Sequence, residues 1–480
     1  MISALIGFYG YRYPSVLVYM LQSTEYQVGP YITWYWNTQD FNKVVRRRSL
    51  RQTKAARLLL LCLRAGMLAQ IVVGLLLIGL WRWDGLIAGW EFGLALILSY
   101  PIVWAHLATI PLLLGRVFII GPKERKLVAQ SDAIFAKHPG IKIAVAGSYG
   151  KTSMKELLLT VLGEGKKVAA TPANKNVSVS HARFAANLRG DEEVLIIEYG
   201  EGGPGDVERF SRTTHPTHAV ITGLAPAHLD KYKTIEAAGE DIFAVARYLH
   251  GKHVYVNTEA AALKPFMKTA YHGYDASGTL GWKAKNIEIS VAGTTFDLVK
   301  GKKSLHLESR LLGKHQVGPL TLAAALALDE LGLSENEVIE GIAKTTPFEH
   351  RMQPYALHGA WIIDDTYNGN IEGIRAGTAL LAAIPAGRKL YVTPGLVEQG
   401  KEATRVHYLM GELIADAKPD VVVLMRNSAM PAMRDGLGSK GFKGELRVEE
   451  DPLAFYTNLG AFVAAGDVVI MQNDWTDNYH

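Results

Sequence analysis

The chain has 480 residues, 51 Lys and Arg against 46 Asp and Glu, a net charge of +5 and one cysteine, Cys62. That length calls for two or three domains rather than a single core, and the small charge excess excludes a nucleic-acid surface. A lone cysteine excludes an intramolecular disulfide or a cysteine-based metal cluster and fits a reducing compartment.

Residues 1–57 form an aromatic and then basic segment. The first forty are rich in Tyr, Trp and Leu and lack a cleavage-site pattern after a basic start, so no removable signal peptide is expected. Aromatic rings with polar tips suit the headgroup layer of a membrane. Lys43, Arg46, Arg47, Arg48, Arg51, Lys54 and Arg57 follow without an intervening acid and lead into an apolar stretch. No residue from Ala65 to Trp81 is charged. With Leu58 to Leu63 added, and Arg64 as the one interruption, the stretch exceeds the roughly 20 residues needed to cross a bilayer. Arg64 lies near one end, where its side chain can snorkel to the interface.

A second uncharged run extends from Phe92 to Gly115 and contains Pro101, His106 and Pro111. The two runs are joined only by Arg82 to Glu91, which predicts a transmembrane helical hairpin over 58–120. Arg116, Lys123, Arg125 and Lys126 follow it, whereas the connecting loop has just Arg82. The positive-inside rule then places a two-pass protein in the inner (cytoplasmic) membrane with its catalytic domains in the cytoplasm.

From Lys126 onward the composition is that of an α/β protein. Apolar runs at Ile141 to Ala146, Val194 to Ile197, Ala219 to Thr222 and His253 to Val256 alternate with helical patterns such as Thr234 to Tyr248, which predicts a mostly parallel sheet. Between Tyr271 and Leu312, short alternating segments with turns at Ala292-Gly293 and Lys300-Gly301 predict β-hairpins. These close a central P-loop domain over 121–312. A helix at Leu320 to Leu331 opens the C-terminal block, 313–480. There Trp361 to Asp364, Lys389 to Thr393, Val421 to Leu424 and Val468 to Met471 read as the buried strands of a doubly wound, Rossmann-like domain.

The chemistry centres on Ile141 to Ser153. A buried strand runs into Gly147, Ser148 and Gly150, and Lys151, Thr152 and Ser153 begin a helix. Glycines let backbone N–H groups turn toward an anion, the helix dipole favours negative charge, and Lys151 adds a full charge. The Thr152 or Ser153 hydroxyl is placed to ligate Mg²⁺. Glu198, at the end of a parallel strand, either holds Mg²⁺ on a bound nucleotide or is a solvated strand-end acid. His228 lies just past another strand end. Asn174 and Asn176 either bind substrate or serve as turn residues. In the C-terminal block, Arg351 suits a phosphate, and the paired acids Asp364 and Asp365 suit ribose hydroxyls or a cation.

The ordered set GSYGKTS, IIEYG, AHLD, GKH, FEHRMQ and DDTYNGN, spread from Ile141 to about Met471, resembles the Mur ligases, the ATP-dependent amide-forming enzymes of cell-wall peptide assembly. The resemblance implies ATP and Mg²⁺ as cofactors, and as substrates a muramoyl-peptide acceptor and an amino acid or a dipeptide such as D-Ala-D-Ala. It implies that Lys151 and the loop amides hold the ATP phosphates, Thr152 and Glu198 one Mg²⁺, and His228 a second. His315 then lies near the adenine, although Gln316 stands where the family usually has asparagine. Arg351 and Asp365 would close over the nucleotide, with Tyr367 and Asn368 in the same loop.

Three departures stand out. The family's carbamylated lysine has no counterpart in Ala238-Gly239-Glu240-Asp241-Ile242-Phe243, so either Glu240 or Asp241 supplies the carboxylate directly or the second metal is bound differently. A membrane hairpin stands in place of the usual domain that grips the UDP part of the substrate, which makes membrane lipid a partner, either through a lipid-linked or membrane-surface acceptor or as an anchor that only places the enzyme near later steps. The segments Thr393 to Gly400 and Gln472 to Asp477 also differ from typical members. Alternative readings are a ligase for another polymer, such as poly-glutamate, and a membrane NTPase or inactive scaffold.

Overall fold

A computed structural model describes residues 7–473 apart from 25, 39, 43, 45–51, 85–88, 174, 226–231, 368, 398, 400 and 401. It divides into two compact units that meet in sequence at Lys126 and Leu127.

In the first unit, the apolar runs form helices Lys54–Asp84 and Gly89–Leu107. Glycines set how close these helices come. A Cβ on Gly93 would stand 2.4 Å from the Gly74 carbonyl oxygen, and one on Gly66 would stand 2.0 Å from the Trp104 ring. Small residues at such crossings let two backbones touch. Gln70 bridges the pair, donating to the Leu96 carbonyl at 3.0 Å and accepting from the Trp104 indole at 2.8 Å.

The second helix stops at Leu107, short of the predicted Gly115, and the chain resumes as helix at Ile110. Tyr31 donates to the Ala105 carbonyl at this break, at 3.1 Å. Many of the N-terminal aromatics therefore face inward: helices Tyr13–Ser23 and Val28–Asn37 bury Tyr13, Tyr31, Trp34 and Tyr35 with Leu63 and Met67.

The second unit contains three sheets. β1 (Ile141–Ala146), β2 (Val168–Ala170), β3 (Val194–Glu198), β4 (His218–Ile221), β5 (Val254–Asn257) and β6 (His272–Tyr274) form a parallel sheet in the order β2-β3-β1-β4-β5-β6. Its central strands are apolar on both sides because two layers cover them. Ile143, Val145 and Ile196 pack with Leu158 of helix Lys151–Leu162, whereas Ala144, Leu195 and Ile197 pack with Phe135, Phe210 and Val245. Burial on both faces is what distinguishes a parallel from a half-exposed antiparallel strand. The chain leaves β1 for one side of the sheet and returns to β4 on the other. The carboxyl end of β1 is therefore a topological switch point, where α/β sheets open a crevice.

β7 (Gly278–Thr279), β8 (Trp282–Ser290), β9 (Gly293–Lys300) and β10 (Lys303–Ser309) form the antiparallel sheet that the turn glycines predict. The segment's first strand differs: β6 pairs in parallel with β5, Tyr255 opposite His272, and so extends the main sheet. The predicted helix Thr234 to Tyr248 divides at Phe243 into Ile235–Ile242 and Ala244–Tyr248, with the Phe243 ring stacked on Phe266 at 5.3 Å.

The expected domain boundary at 312/313 moves later. Helices Val317–Ala325 and Glu335–Ala343 bury Val317, Leu320, Val338 and Ile342 against Leu157, Leu158 and Val161 of the central domain. The third sheet begins only with β11 (Gln353–Leu357), followed by β12 (Ala360–Asp365), β13 (Arg388–Thr393), β14 (Val421–Met425), β15 (Glu445–Glu449) and β16 (Asp467–Gln472). Its order is β11-β12-β16-β13-β14-β15, with β11 antiparallel to β12. Pro354 sits in that outer strand, where a missing N–H donor costs no ladder bond.

Candidate functional site

The loop from Ala146 to Lys151 is shaped by its glycines and by Thr222, just past β4. Gly147 has φ +143°, and a Cβ there would stand 2.4 Å from the Thr222 hydroxyl oxygen. Gly150 has φ +76°, the left-handed conformation that a side chain disfavours, and it caps helix Lys151–Leu162. Thr222 donates toward the Tyr149 and Ala146 carbonyls, and the Ser148 N–H donates to the Gly223 carbonyl at 2.8 Å. The loop is thus held from β4, with the helix N-terminus behind it.

Five of the predicted residues form two neighbouring networks past the ends of β1 and β3, one around Glu198 and one around Glu201. The Thr152 hydroxyl lies 3.1 and 3.0 Å from the two Glu198 carboxylate oxygens. The Asn176 side-chain amide donates to the same carboxylate at 3.1 Å. Glu198 is only 1 % exposed, and a buried carboxylate needs a cation. Lys155, one helical turn after Lys151 and fully buried, lies 3.6 Å from it. Lys151 itself donates to Glu201 at 3.0 Å and to the Gly147 carbonyl, and the Ser148 hydroxyl donates to Glu201 at 3.0 Å. Hydroxyl and carboxylate oxygens are hard donors, so Thr152 and Glu198 fit Mg²⁺, with the Asn176 N–H turned to the carboxylate.

A cleft of about 470 Å³ opens beside these networks and is walled by both α/β lobes. Tyr149, Gly150 and Ser153 line it from the central domain, with His315 at the head of the following helix, and Arg351, Asp365 and Tyr367 line it from the C-terminal side. The Arg351 guanidinium lies over the Tyr367 ring, 4.5 Å from its centroid. Asp365 accepts from the Gln472 side chain at 2.7 Å and from the Met352 N–H at 3.2 Å. Burial pushes its carboxyl up to about 6, against the pull of Gln472, Arg351 and Met352. Burial likewise holds the His315 imidazole down to about 4, so the ring is neutral at pH 7. Tyr149 is pushed up to about 12 by burial and by Glu372 and Glu259, and stays a phenol.

Glu240 is a correction. Its side chain is 68 % exposed and pairs with Arg247 at 3.0 Å, on the outer face of helix Ile235–Ile242. One residue on, Asp241 is turned inward. It accepts from the Gly205 N–H at 2.7 Å and the Tyr232 hydroxyl at 2.9 Å, and so fixes the segment after Glu201. Asn176, one of the two asparagines offered as a substrate contact, is engaged with Glu198 instead. His228, Asn174 and Asn368 lie outside the described residues. Sequence reasoning missed Glu201, Lys155 and Tyr149. Glu201 was visible as a second acid past the β3 end, and Lys155 as a lysine set, with Glu156, among Met154, Leu157 and Leu158.

This is the architecture of a P-loop α/β domain faced by a second α/β lobe. Residues 145–327 match the family model described as the Mur ligase middle domain. The chain is 26 % identical over 304 residues to the UDP-N-acetylmuramoyl-tripeptide--D-alanyl-D-alanine ligase of Borreliella burgdorferi, covering 61 % of this chain and 64 % of that protein. It therefore spans somewhat less than two-thirds of that relative's length. Among solved structures, MurF from Acinetobacter baumannii superposes with a TM-score of 0.62 at 21 % identity, over 73 % of this chain and 77 % of that one. The MurF ligase of Thermotoga maritima in complex with ADP gives 0.61 at 21 % identity, over 73 % and 80 %. These likenesses establish the fold.

Proposed function

We propose that the chain is a membrane-anchored, ATP-dependent amide ligase of peptidoglycan precursor synthesis that adds D-Ala-D-Ala or a similar amine to a muramoyl peptide. The observation that carries this reading is the Thr152–Glu198 pair, with Lys151 on Glu201 next to it, beside a cleft that Arg351 and Asp365 reach from the second lobe. The name of the Borreliella burgdorferi relative, a UDP-N-acetylmuramoyl-tripeptide--D-alanyl-D-alanine ligase, supports the substrate class.

A carboxylate is too poor an electrophile for an amine. Transfer of the ATP γ-phosphoryl group to the acceptor carboxylate forms a C–O–P bond and releases ADP, and the amine then displaces phosphate. Two anions must meet in the first step. In this reading Lys151 leaves Glu201 to neutralise the transferring phosphoryl group, and the N–H groups between Gly147 and Ser153 cradle the phosphates. Mg²⁺ held by Thr152 and Glu198, with Asn176 orienting the carboxylate, supplies further charge neutralisation. Neutral His315 and the paired Arg351 and Tyr367 hold the nucleotide's far end. Closing one lobe on the other excludes water, which would otherwise hydrolyse the acyl phosphate.

Anchoring is supported by two stretches long and apolar enough to cross a membrane, Lys54–Leu80 with mean hydropathy 2.2 and Trp90–Lys137 with 1.8. Leu61, Leu68, Leu76, Phe92, Leu98 and Leu114 are exposed along them, an arrangement suited to lipid. A bilayer placement would bring a lipid-linked acceptor within reach of the enzyme. Mass spectrometry of products from the full chain with ATP, Mg²⁺, either UDP-linked or lipid-linked muramoyl peptide, and a panel of amines tests the reading. A new amide is expected. ADP without any amide would favour an NTPase, and product from the soluble acceptor alone would remove the lipid-linked substrate.

A further inference from the structure

The amino-terminal edge of the central sheet, opposite the phosphate loop, gathers a second set of ligating groups. His218 begins β4, His253 immediately precedes β5, and His272 begins β6, so three adjacent strands each bring a histidine to one edge. Glu330 reaches the first two from the stretch Leu326–Glu330, a π-type turn that ends the helix begun at Val317. Glu330 Oε2 lies 2.8 Å from His218 Nε2 and 3.5 Å from His253 Nδ1. One ligand atom from each of the three residues lies within 4.8 Å of the others, and no other such group of His, Cys, Asp and Glu occurs among the described residues.

We propose that His218, His253 and Glu330 bind a divalent ion of the zinc class, joining the amino ends of β4 and β5 to the helix that starts beside His315. Two imidazole nitrogens and one carboxylate oxygen suit Zn²⁺, Co²⁺ or Ni²⁺ rather than Mg²⁺ or Ca²⁺, which favour all-oxygen sets. Bonds of about 2.0–2.1 Å place tetrahedral ligand atoms about 3.3 Å apart, and the 2.8 and 3.5 Å separations already bracket that spacing. His253 is 53 % exposed, so its ring can turn onto the ion and solvent can fill the fourth position.

The surrounding groups orient the ligands. The Thr217 hydroxyl is 2.9 Å from His218 Nδ1, which leaves Nε2 facing Glu330. The buried Tyr255 phenol donates to the other oxygen of Glu330. Outer partners of this kind are what fix metal ligands in place. The site lies a strand's length from the phosphate loop, and its role is to brace the helix rather than to take part in the reaction.

The test uses the full-length protein in detergent, stripped with chelator and kept free of nucleotide, titrated with Co²⁺. One equivalent is expected to bind with the intense visible absorption of tetrahedral Co²⁺, and Zn²⁺ to displace it. Tyr255→Phe should weaken binding about tenfold, and His253→Ala, at a half-exposed position that leaves the core intact, should abolish the band. Zn²⁺ should also raise the unfolding temperature of the wild type and not of His253→Ala. Absence of the tetrahedral band, or a band that survives both His253→Ala and Glu330→Gln, would overturn the site and leave a hydrogen-bonded histidine–carboxylate cluster.

Discussion

At the scale of single residues, the cleft holds two titratable groups with opposite linkage to stability. Burial raises Asp365 to about 6 from 3.8, so the fold favours its protonated form. That contribution is complete below about pH 4 and fades as pH rises toward 6. Burial lowers His315 to about 4 from 6.5, so the fold favours the neutral ring. Its contribution is complete above about 6.5 and fades as pH falls toward 4. Both side chains also reach the cleft surface, so each term is on the order of 1–2 kcal/mol. Urea midpoints measured from pH 4 to 7 should rise more steeply with pH in Asp365→Asn and less steeply in His315→Gln. Equal slopes in the two variants would contradict this assignment. Lys151 and Glu198 were legible in the sequence because an apolar run, a glycine pair and a strand-end acid have fixed spacing. Glu201 could be seen as a second acid but not given a role, because its tie to Lys151 exists only once β1 and β3 lie side by side.

Among elements, the phosphate loop and the helical pair each depend on close approach. A Cβ on Gly223 would stand 2.3 Å from the Tyr149 ring, so Gly223→Val should push that ring into the cleft. We expect a raised KM for ATP, by about tenfold, with the unfolding midpoint little changed; an unaltered KM would show that the loop does not form the nucleotide wall. In the helix pair, Gln70→Leu removes the bonds to Leu96 and Trp104. Such interhelical bonds are worth about 1 kcal/mol in a membrane environment, and an SDS-unfolding titration of the full chain should register that loss. The central strands and hairpins were legible because buried and alternating patterns differ. β11 and β15 were not, since Pro354 interrupts the first, and in the second Leu446 and Val448 alternate with charges over only five largely exposed residues.

For the molecule as a whole, the sequence located the two α/β lobes but set their border about forty residues early. Val317–Ala325 and Glu335–Ala343 are amphipathic or apolar helices that fit either lobe, and only their packing on helix Lys151–Leu162 decides between them. The basic block and the two apolar helices predict that the full chain floats with liposomes while residues 127–480 alone remain in the soluble fraction. Flotation of both would place the membrane contact elsewhere.

The central claim is that the loop bearing Lys151 activates an acid for attack by an amine. The most direct measurement is ADP release from the full chain, with acceptor and amine supplied separately and together. Release beyond one equivalent per enzyme is expected only when both are present, and Lys151→Ala should lower it by about 100- to 1,000-fold. ADP released at the full rate with neither substrate, or undiminished in Lys151→Ala, would contradict the account.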